Sequence, residues 1–471
     1  MKVLFVASES QAFMKVGGLG DVVASLPKAL SKLGVETSVI IPMYRGIKQK
    51  YPKLEKVDDF YISLGFRHQY VGLHKTRVGD VNYYFVDNEQ YFDRDAVYGH
   101  YDDGERFTFF SKAVVEIVAR HFRHYDIVHA HDWETAMVIP LLREYQLPVK
   151  SVFTIHNLKF QGVFDFDMVF DMLGLPYYYN NEDKMSYYGK ANYVKAGIVF
   201  ADKVTTVSPT YLQEIQNDYF GENLDGLIRQ YSYKMQGVLN GIDYDVYNTK
   251  KDKYLSYAYD AKKIENKYNN KIAFQKEMDL PQDKDIVMVG MVSRLTDQKG
   301  LDLINSVLEE ILQIRLQLVI LGTGEPDYEN NFRNHEYAYH DKMRAIIKYD
   351  DRIASEIYAA SDIYLMPSQF EPCGLSQMIA MRYGSIPLVR KTGGLNDSVI
   401  PYNKFTGEGT GFAFGNYNAH EMLFTLQDAV RIYYDERENF NRLIKNAMAQ
   451  DFSWKVSSQK YLDLYKSLVN E

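Results

Sequence analysis

The sequence predicts an α/β protein made of two parallel-sheet domains facing each other across a deep cleft, and three observations lead there. The chain has 471 residues, too many for one ordinary core and suited to two domains. Apolar, strand-like runs alternate with helical patterns along its length, the sign of parallel βαβ units. One heptapeptide occurs twice, as Lys15-Val-Gly-Gly-Leu-Gly-Asp21 near the start and as Lys391-Thr-Gly-Gly-Leu-Asn-Asp397 near the end. Each copy follows an apolar run, Val3 to Ala7 and Ile386 to Val389, so the two halves repeat one strand–loop design.

Taken in order, the apolar runs place strands at 2–7, 36–41, 126–129, 150–155 and 203–207 in the first half. The second half has runs at 286–291, 316–321, 362–366 and 385–389. The first Gly-Gly loop opens a helical pattern of Leu19, Val22, Val23, Leu26 and Leu30. Residues 244–271 are polar and poor in aliphatics, which puts the domain boundary just before them, near Asn240-Gly241-Ile242-Asp243. The domains are therefore read as 1–243 and 244–452, with a terminal segment 453–471. In that segment Tyr461, Leu464, Tyr465 and Leu468 fall on one helical face.

Composition narrows the function classes. Net charge is −8 and the isoelectric point about 5.8, which argues against nucleic acid or an anionic membrane as the main partner. The single cysteine, Cys373, excludes an internal disulfide and fits a reducing cytoplasm. No window is apolar enough to span a bilayer, and the N-terminus lacks the length of a signal peptide. Nothing in the sequence sets an oligomeric state. The 40 tyrosines suit a sugar-polymer binder, but most read as compositional drift alongside plentiful Asn, Lys and Ile.

Nearly every polar motif begins where an apolar run ends. Ser8-Glu9, His129-Ala-His131-Asp132-Trp133, His156-Asn157, Ser293-Arg294, Gly322-Thr-Gly324 and Glu371-Pro-Cys-Gly374 all do so. Open parallel sheets bind ligands outside the carboxyl ends of their strands. The paired glycines let the backbone turn sharply and approach a ligand, and amides exposed beside a helix N-terminus favour an anion. Arg294 and Lys299 lie five residues apart after a strand; arginine clamps a phosphate through two N–H bonds and lysine adds a point charge. Glu371 is a carboxylate suited to the hydroxyls of a ribose, or to stabilisation by a helix N-terminus. These groups point to an anionic, nucleotide-sugar type of ligand.

Two competing chemistries fit poorly. His131, Asp132 and His156 follow different strands, without cysteine ligands or a His-Glu-x-x-His spacing, so no metal site is expected. The short Asp165-Phe-Asp167 and Asp243-Tyr-Asp245 patterns carry little weight. A dehydrogenase requires Gly-x-Gly-x-x-Gly after a strand; Gly17-Gly18-Leu19-Gly20 has the wrong spacing, and Asp327 replaces the third glycine after Gly322-Thr-Gly324.

The ordered set of motifs resembles the bacterial glycogen synthase and plant starch synthase family. It runs through Lys15-Val-Gly-Gly-Leu, His131-Asp-Trp, Thr154-Ile-His-Asn-Leu, Thr206-Val-Ser-Pro-Thr-Tyr, Asn240-Gly-Ile-Asp, Ser293-Arg-Leu, Gln298-Lys-Gly, Glu371-Pro-Cys-Gly-Leu and Lys391-Thr-Gly-Gly-Leu. The resemblance implies two Rossmann-like domains across a deep cleft, the GT-B fold, with the C-terminal helix crossing back to the first domain. It implies transfer of glucose from ADP-glucose to the non-reducing end of an α-1,4-glucan, with retention of configuration and no obligatory cofactor or metal. It implies that Arg294 and Lys299 clamp the diphosphate and that Glu371 meets the donor's sugar moieties. Thr392, Gly393 and Gly394 would cradle the diphosphate beside Lys391. Lys15, Gly17 and Gly18 would be the other domain's contribution. Asn240, Gly324, Cys373 and Gly374 join the donor set, and Tyr349 is similar to a tyrosine that stacks on the adenine. His156 would bind a glucose hydroxyl, and Asp132, with Asp21, His131 and Trp133, would belong to the acceptor side.

Two departures bear on this. Val16 stands where many synthases have threonine, which a loop acting through its backbone tolerates. Ile379 stands where the wider retaining group has a second glutamate; synthases of this type lack it too and carry glutamine at 377, as here. Retention requires either a covalent carboxylate intermediate or same-face attack assisted by the departing phosphate, and the absence of a clear carboxylate pair favours the latter. The alternatives are a related transferase using UDP-glucose or another acceptor, and an inactive glucan-binding protein. The latter would be expected to lose its charged groups, yet Lys15, Arg294, Lys299 and Glu371 are all present.

Overall fold

The structure, a computed structural model, describes residues 1–470. The chain forms two units: Met1–Gly241 together with the final helix Trp454–Asn470, and Ile242–Ser453. In the first unit the strands are β1 (Lys2–Val6), β2 (Glu36–Pro42), β3 (Glu55–Leu64), β4 (Arg67–Val78), β5 (Val81–Asp87), β6 (Ile127–His131) and β7 (Lys150–Ile155). Three short strands follow, β8 (Val163–Phe164), β9 (Ser186–Tyr187) and β10 (Lys190–Asn192), then β11 (Lys203–Thr206) and β12 (Met235–Gly237). The nine-stranded sheet has the order β12-β11-β7-β6-β1-β2-β5-β4-β3. It is parallel from β12 to β5 and antiparallel through β4 and β3. The short strands make a separate antiparallel sheet.

The second unit holds β13 (Val287–Val292), β14 (Leu316–Leu321), β15 (Met343–Ile346), β16 (Ile363–Met366), β17 (Ile386–Arg390) and β18 (Phe412–Phe414). Its order is β15-β14-β13-β16-β17-β18, parallel throughout. All six residues of β14 are buried, as a strand covered by helices on both faces requires. Each such Leu, Ile or Val contributes about 1.5–3 kcal/mol on burial.

In both units the chain reverses its direction across the sheet beside the first strand, between β1 and β6 and between β13 and β16. Those gaps are the topological switch points, where open sheets of this kind bind ligands.

The helix Gly18–Ser31 buries Leu19, Val22, Val23, Leu26 and Leu30, the face read from its spacing. The helix Trp454–Asn470 buries Tyr461, Leu464, Tyr465 and Leu468 and belongs to the first unit. Tyr465 fixes it there: its hydroxyl lies 2.7 Å from His129 Nδ1 at the heart of the sheet.

Candidate active site

In the first unit the candidate residues gather at the ends of β1, β6 and β7. The first Gly-Gly loop is built around a residue that the motif does not contain. The buried carboxylate of Glu9, three residues past β1, accepts the N–H of Val16, Gly17 (3.2 and 3.3 Å) and Gly20 (3.0 Å). Of the two glycine amides expected to serve a ligand's anion, that of Gly17 is thus already held by a carboxyl of the protein itself. Burial pushes the Glu9 carboxyl up to about 7 against the pull of these amides, and Asp21 adds to the rise. Lys15 pairs with Asp21 at 2.8 Å. Gly17 and Gly18 are exposed, and Gly17 has an extended φ of −142°. The backbone angles of Gly17 thus do not require glycine. The signal for Glu9 was present in the sequence, as a carboxylate just after strand one, but its partner loop is set by the fold.

At the end of β6, Asp132 has φ 57° and ψ −179°, a region populated almost only by glycine and costing about 1–3 kcal/mol elsewhere. Its Oδ1 accepts the N–H of His156 at 2.7 Å. Loss of surrounding water pushes its carboxyl up to about 7, against backbone hydrogen bonds from His156 and Asn157 and with the help of Glu9. The strained backbone is held so that this carboxylate joins β6 to β7.

His131 and Trp133 lie close behind Asp132. His131 is fully buried; its Nδ1 lies 3.0 Å from His156 Nε2, and its Nε2 has no partner among the described residues. Trp133 packs into an aromatic cluster with Phe107 and Phe164, ring centroids 5.3 and 5.5 Å away. His156 is only partly buried, and burial drops its pKa to about 3, so the ring is neutral. Beside them Glu134 is buried with its carboxyl raised well above the usual range by burial and by Asp132. The Oδ1 of the buried Asn240 has no partner among the described residues.

In the second unit the candidate residues meet at the β13/β16 switch point. Lys299 Nζ lies 2.6 Å from Glu371 Oε2, and Ser368 Oγ donates to the same oxygen at 3.1 Å. Arg294 is exposed. The predicted clamp is therefore asymmetric: Lys299 shares its charge with Glu371, and Arg294 offers a guanidinium toward solvent. Tyr349 is exposed, and its hydroxyl donates to Asp351 Oδ1 at 2.9 Å.

The glycines here have internal duties. A Cβ on Gly324 would lie 2.6 Å from the Leu295 carbonyl carbon, because the Arg294 loop pairs with this turn. Gly374 has φ 67°. The Thr392-Gly393-Gly394 loop packs on the backbone of the Glu371-Pro-Cys-Gly turn. The Gly394 N–H donates to the Glu371 carbonyl at 3.0 Å. A Cβ at Gly393 or Gly394 would lie 2.8 Å from the Glu371 or 2.5 Å from the Cys373 carbonyl carbon. Gln377 braces the same turn, donating to the carbonyls of Cys373 (3.1 Å) and Gly374 (2.8 Å) and to Ser398 (3.0 Å). Cys373 is buried and Lys391 exposed. Arg390, which sequence reasoning missed, donates to the Gln369 carbonyl and stacks on Tyr417 at 5.5 Å.

Comparison with known proteins places this geometry. The family profile of the starch synthase catalytic domain matches residues 2–230, and that of glycosyl transferases group 1 matches 272–450. Two doubly wound units with charged loops at their strand ends, matched in this way, define a two-domain glycosyltransferase. Glycogen synthases of Clostridium novyi and Bacillus cereus are 47% and 48% identical to the chain, over 100% of both chains in each case. The catalytic domain of starch synthase IV from Arabidopsis thaliana, bound to ADP and acarbose, superposes with a TM-score of 0.93 at 35% identity, covering 100% of this chain and 99% of that one. The chain belongs to the glycogen synthase and starch synthase family. A sucrose-phosphate synthase from Thermosynechococcus elongatus shares the fold, with a TM-score of 0.63 at 17% identity. Among the described residues no helix is long and apolar enough to cross a membrane.

Proposed function

We propose that this glycosyltransferase moves glucose from ADP-glucose to the non-reducing end of an α-1,4-glucan with retention of configuration, in the cytoplasm and without a metal. The observation that carries the reading is the charged cluster at the second unit's switch point, where Arg294 faces solvent beside the Lys299–Glu371 pair. The leaving group of such a donor is a nucleoside diphosphate. Its developing negative charge requires preorganised cations, which supply much of the rate in reactions of this kind. Arg294 is the principal partner, Lys299 the second, and Glu371 holds Lys299 in place while offering its other oxygen to donor hydroxyls. Cys373, Gly374, Lys391, Thr392, Gly393 and Gly394 shape the diphosphate side, with Gly324 and Asn240. Tyr349 offers an exposed ring to a base. In the first unit His156 meets a sugar hydroxyl, Lys15 adds positive charge near its Gly-Gly loop, and Asp132 with Asp21 and Trp133 serves the acceptor. Relatives named glycogen synthase, and a starch synthase solved with ADP and acarbose, support this choice of donor and acceptor.

The test is incubation of the purified chain with radiolabelled ADP-glucose or UDP-glucose and glycogen, counting label in polymer. Incorporation from ADP-glucose, with release of the label by an enzyme specific for α-1,4 linkages, is the expected result. Incorporation from UDP-glucose alone, or none from either, would overturn the reading.

A further inference from the structure

We propose that His131 is a positioning residue that holds His156 in the tautomer with its proton on Nδ1, so that His156 offers a hydrogen-bond donor, and not a base, to a sugar oxygen. This rests on the reading of His156 as a ligand of the donor sugar.

The two rings share one hydrogen bond, 3.0 Å between His131 Nδ1 and His156 Nε2. Burial depresses both histidines below their ordinary value of 6.5, so each is a neutral imidazole with one N–H and one lone pair. Only two arrangements satisfy that bond. In the first, His131 Nδ1–H donates to His156 Nε2, and the proton of His156 sits on Nδ1. In the second, His156 Nε2–H donates to His131 Nδ1, and the proton of His131 must sit on its own Nε2.

The surroundings of His131 separate the two. Its Nε2 is buried and has no partner among the described residues. The ring is stacked against His129, centroids 4.2 Å apart, and against Phe5 at 5.9 Å. It cannot turn its nitrogen to water. His129 cannot help, because its nitrogens are taken by the Tyr465 hydroxyl (2.7 Å) and Thr154 Oγ1 (2.5 Å). The second arrangement would bury an N–H with no acceptor, whereas the first leaves only an unused acceptor. Orphaned buried N–H groups are the rarer of the two in folded proteins. The first arrangement is therefore the stable one.

The consequence falls on the reaction. His156 is also held through its backbone N–H by Asp132, so ring and main chain are both fixed. Its free Nδ1 carries a proton already and cannot accept one from an attacking hydroxyl. It donates to a lone pair of a sugar oxygen at that place.

The experiment is a long-range proton–nitrogen correlation spectrum of the full chain labelled with 15N-histidine, His156 being assigned by its loss in His156→Gln. The expected pattern at neutral pH is a protonated Nδ1 and an unprotonated Nε2 on His156. The reverse pattern, or two nitrogens averaged to intermediate shifts, would overturn the proposal. A second arm compares His131→Asn, whose amide N–H can stand in for Nδ1–H, with His131→Leu. The asparagine variant is expected to keep the His156 pattern and most of kcat/KM for the donor. The leucine variant is expected to lose the pattern and about tenfold in kcat/KM, as for one unmade buried hydrogen bond. A leucine variant with unchanged melting temperature, spectrum and kcat/KM would refute the positioning role. If the wild-type pattern is as expected but His156→Gln transfers glucose normally, the tautomer stands and the reading of His156 as a sugar ligand falls.

Discussion

The two Lys-x-Gly-Gly-Leu loops look alike in sequence, yet replacing a glycine with alanine should have opposite consequences in each. In the second loop Gly394 lies against the Glu371-Pro-Cys turn, and an added Cβ would come within 2.5 Å of the Cys373 carbonyl carbon. The loop cannot retreat without stretching the 3.0 Å bond from the Gly394 N–H to the Glu371 carbonyl. Overpacking of this kind costs about 1–3 kcal/mol, and the weakened hydrogen bond adds about 1 kcal/mol. The second unit is of a size for which each kcal/mol moves Tm by about 2–4 °C, so Gly394→Ala should lower its transition by roughly 5–15 °C. At Gly17 the added Cβ would meet only Glu9 Oε1 at 3.6 Å, an ordinary contact, and the extended φ suits any residue. The cost there is within about 0.5 kcal/mol, a shift of no more than about 2 °C. Differential scanning calorimetry of both variants, with glucose transfer measured alongside, decides the matter. Gly17→Ala should unfold like the parent while losing activity, because the added methyl group stands in the exposed loop assigned to the donor. Equal destabilisation by the two variants, or an unchanged transition in Gly394→Ala, would refute the assignment of different roles.

Arg294→Ala should cut turnover by roughly two to three orders of magnitude without a change in melting; Lys299→Ala should match that loss and also destabilise, because Glu371 is left buried and unpaired. Near-normal kcat in both would remove the diphosphate clamp. Cys373→Ser should retain substantial activity, and complete loss with intact folding would require a thiol in the mechanism. Tyr465→Phe strips a partner from the buried His129 and should cost about 1–3 kcal/mol, read as a lower Tm with little change in kcat. Glu9 binds its proton more tightly in the folded chain, at about 7 against an ordinary 4.5, so its contribution to stability is complete below 4.5 and is lost as pH rises through 7. In Glu9→Gln the decline of stability across that window should be shallower in a series of urea titrations, and an identical slope would contradict a raised pKa at Glu9.

The sequence by itself determined the central strands of both sheets and that the candidate residues stand at strand ends. Most of β1, β2, β6, β7, β11, β13, β14, β16 and β17 are apolar-rich runs because both faces of a parallel sheet are covered, and all nine were read within a residue or two; β11, Lys203-Val-Thr-Thr206, is the least apolar of them. The strands not read are instructive. β3, β12, β15 and β18 are the four edges of the two large sheets, and β4 and β5 adjoin the antiparallel edge. Most of these strands are short or half-exposed, so their sequences, such as the Glu55–Leu64 stretch, carry no apolar run to recognise; β5, with Tyr83-Tyr84-Phe85-Val86 and a mostly buried pattern, did carry one and was missed.

The chemistry divides in the same way. That Arg294, Lys299, Glu371, Asp132 and His156 stand at strand ends was legible, because each motif begins where an apolar run stops. Only the tertiary structure decided what each group is already bonded to. Glu9 fills the first Gly-Gly loop, the second loop packs on the Glu371 turn, and Lys299 is neutralised by Glu371. His131 is buried behind His156 instead of standing beside it. The physical reason is common to all four. Hydrogen bonds and ion pairs join residues separated by 7 to 72 positions, and only the folding of loops at the ends of the strands brings those residues into contact.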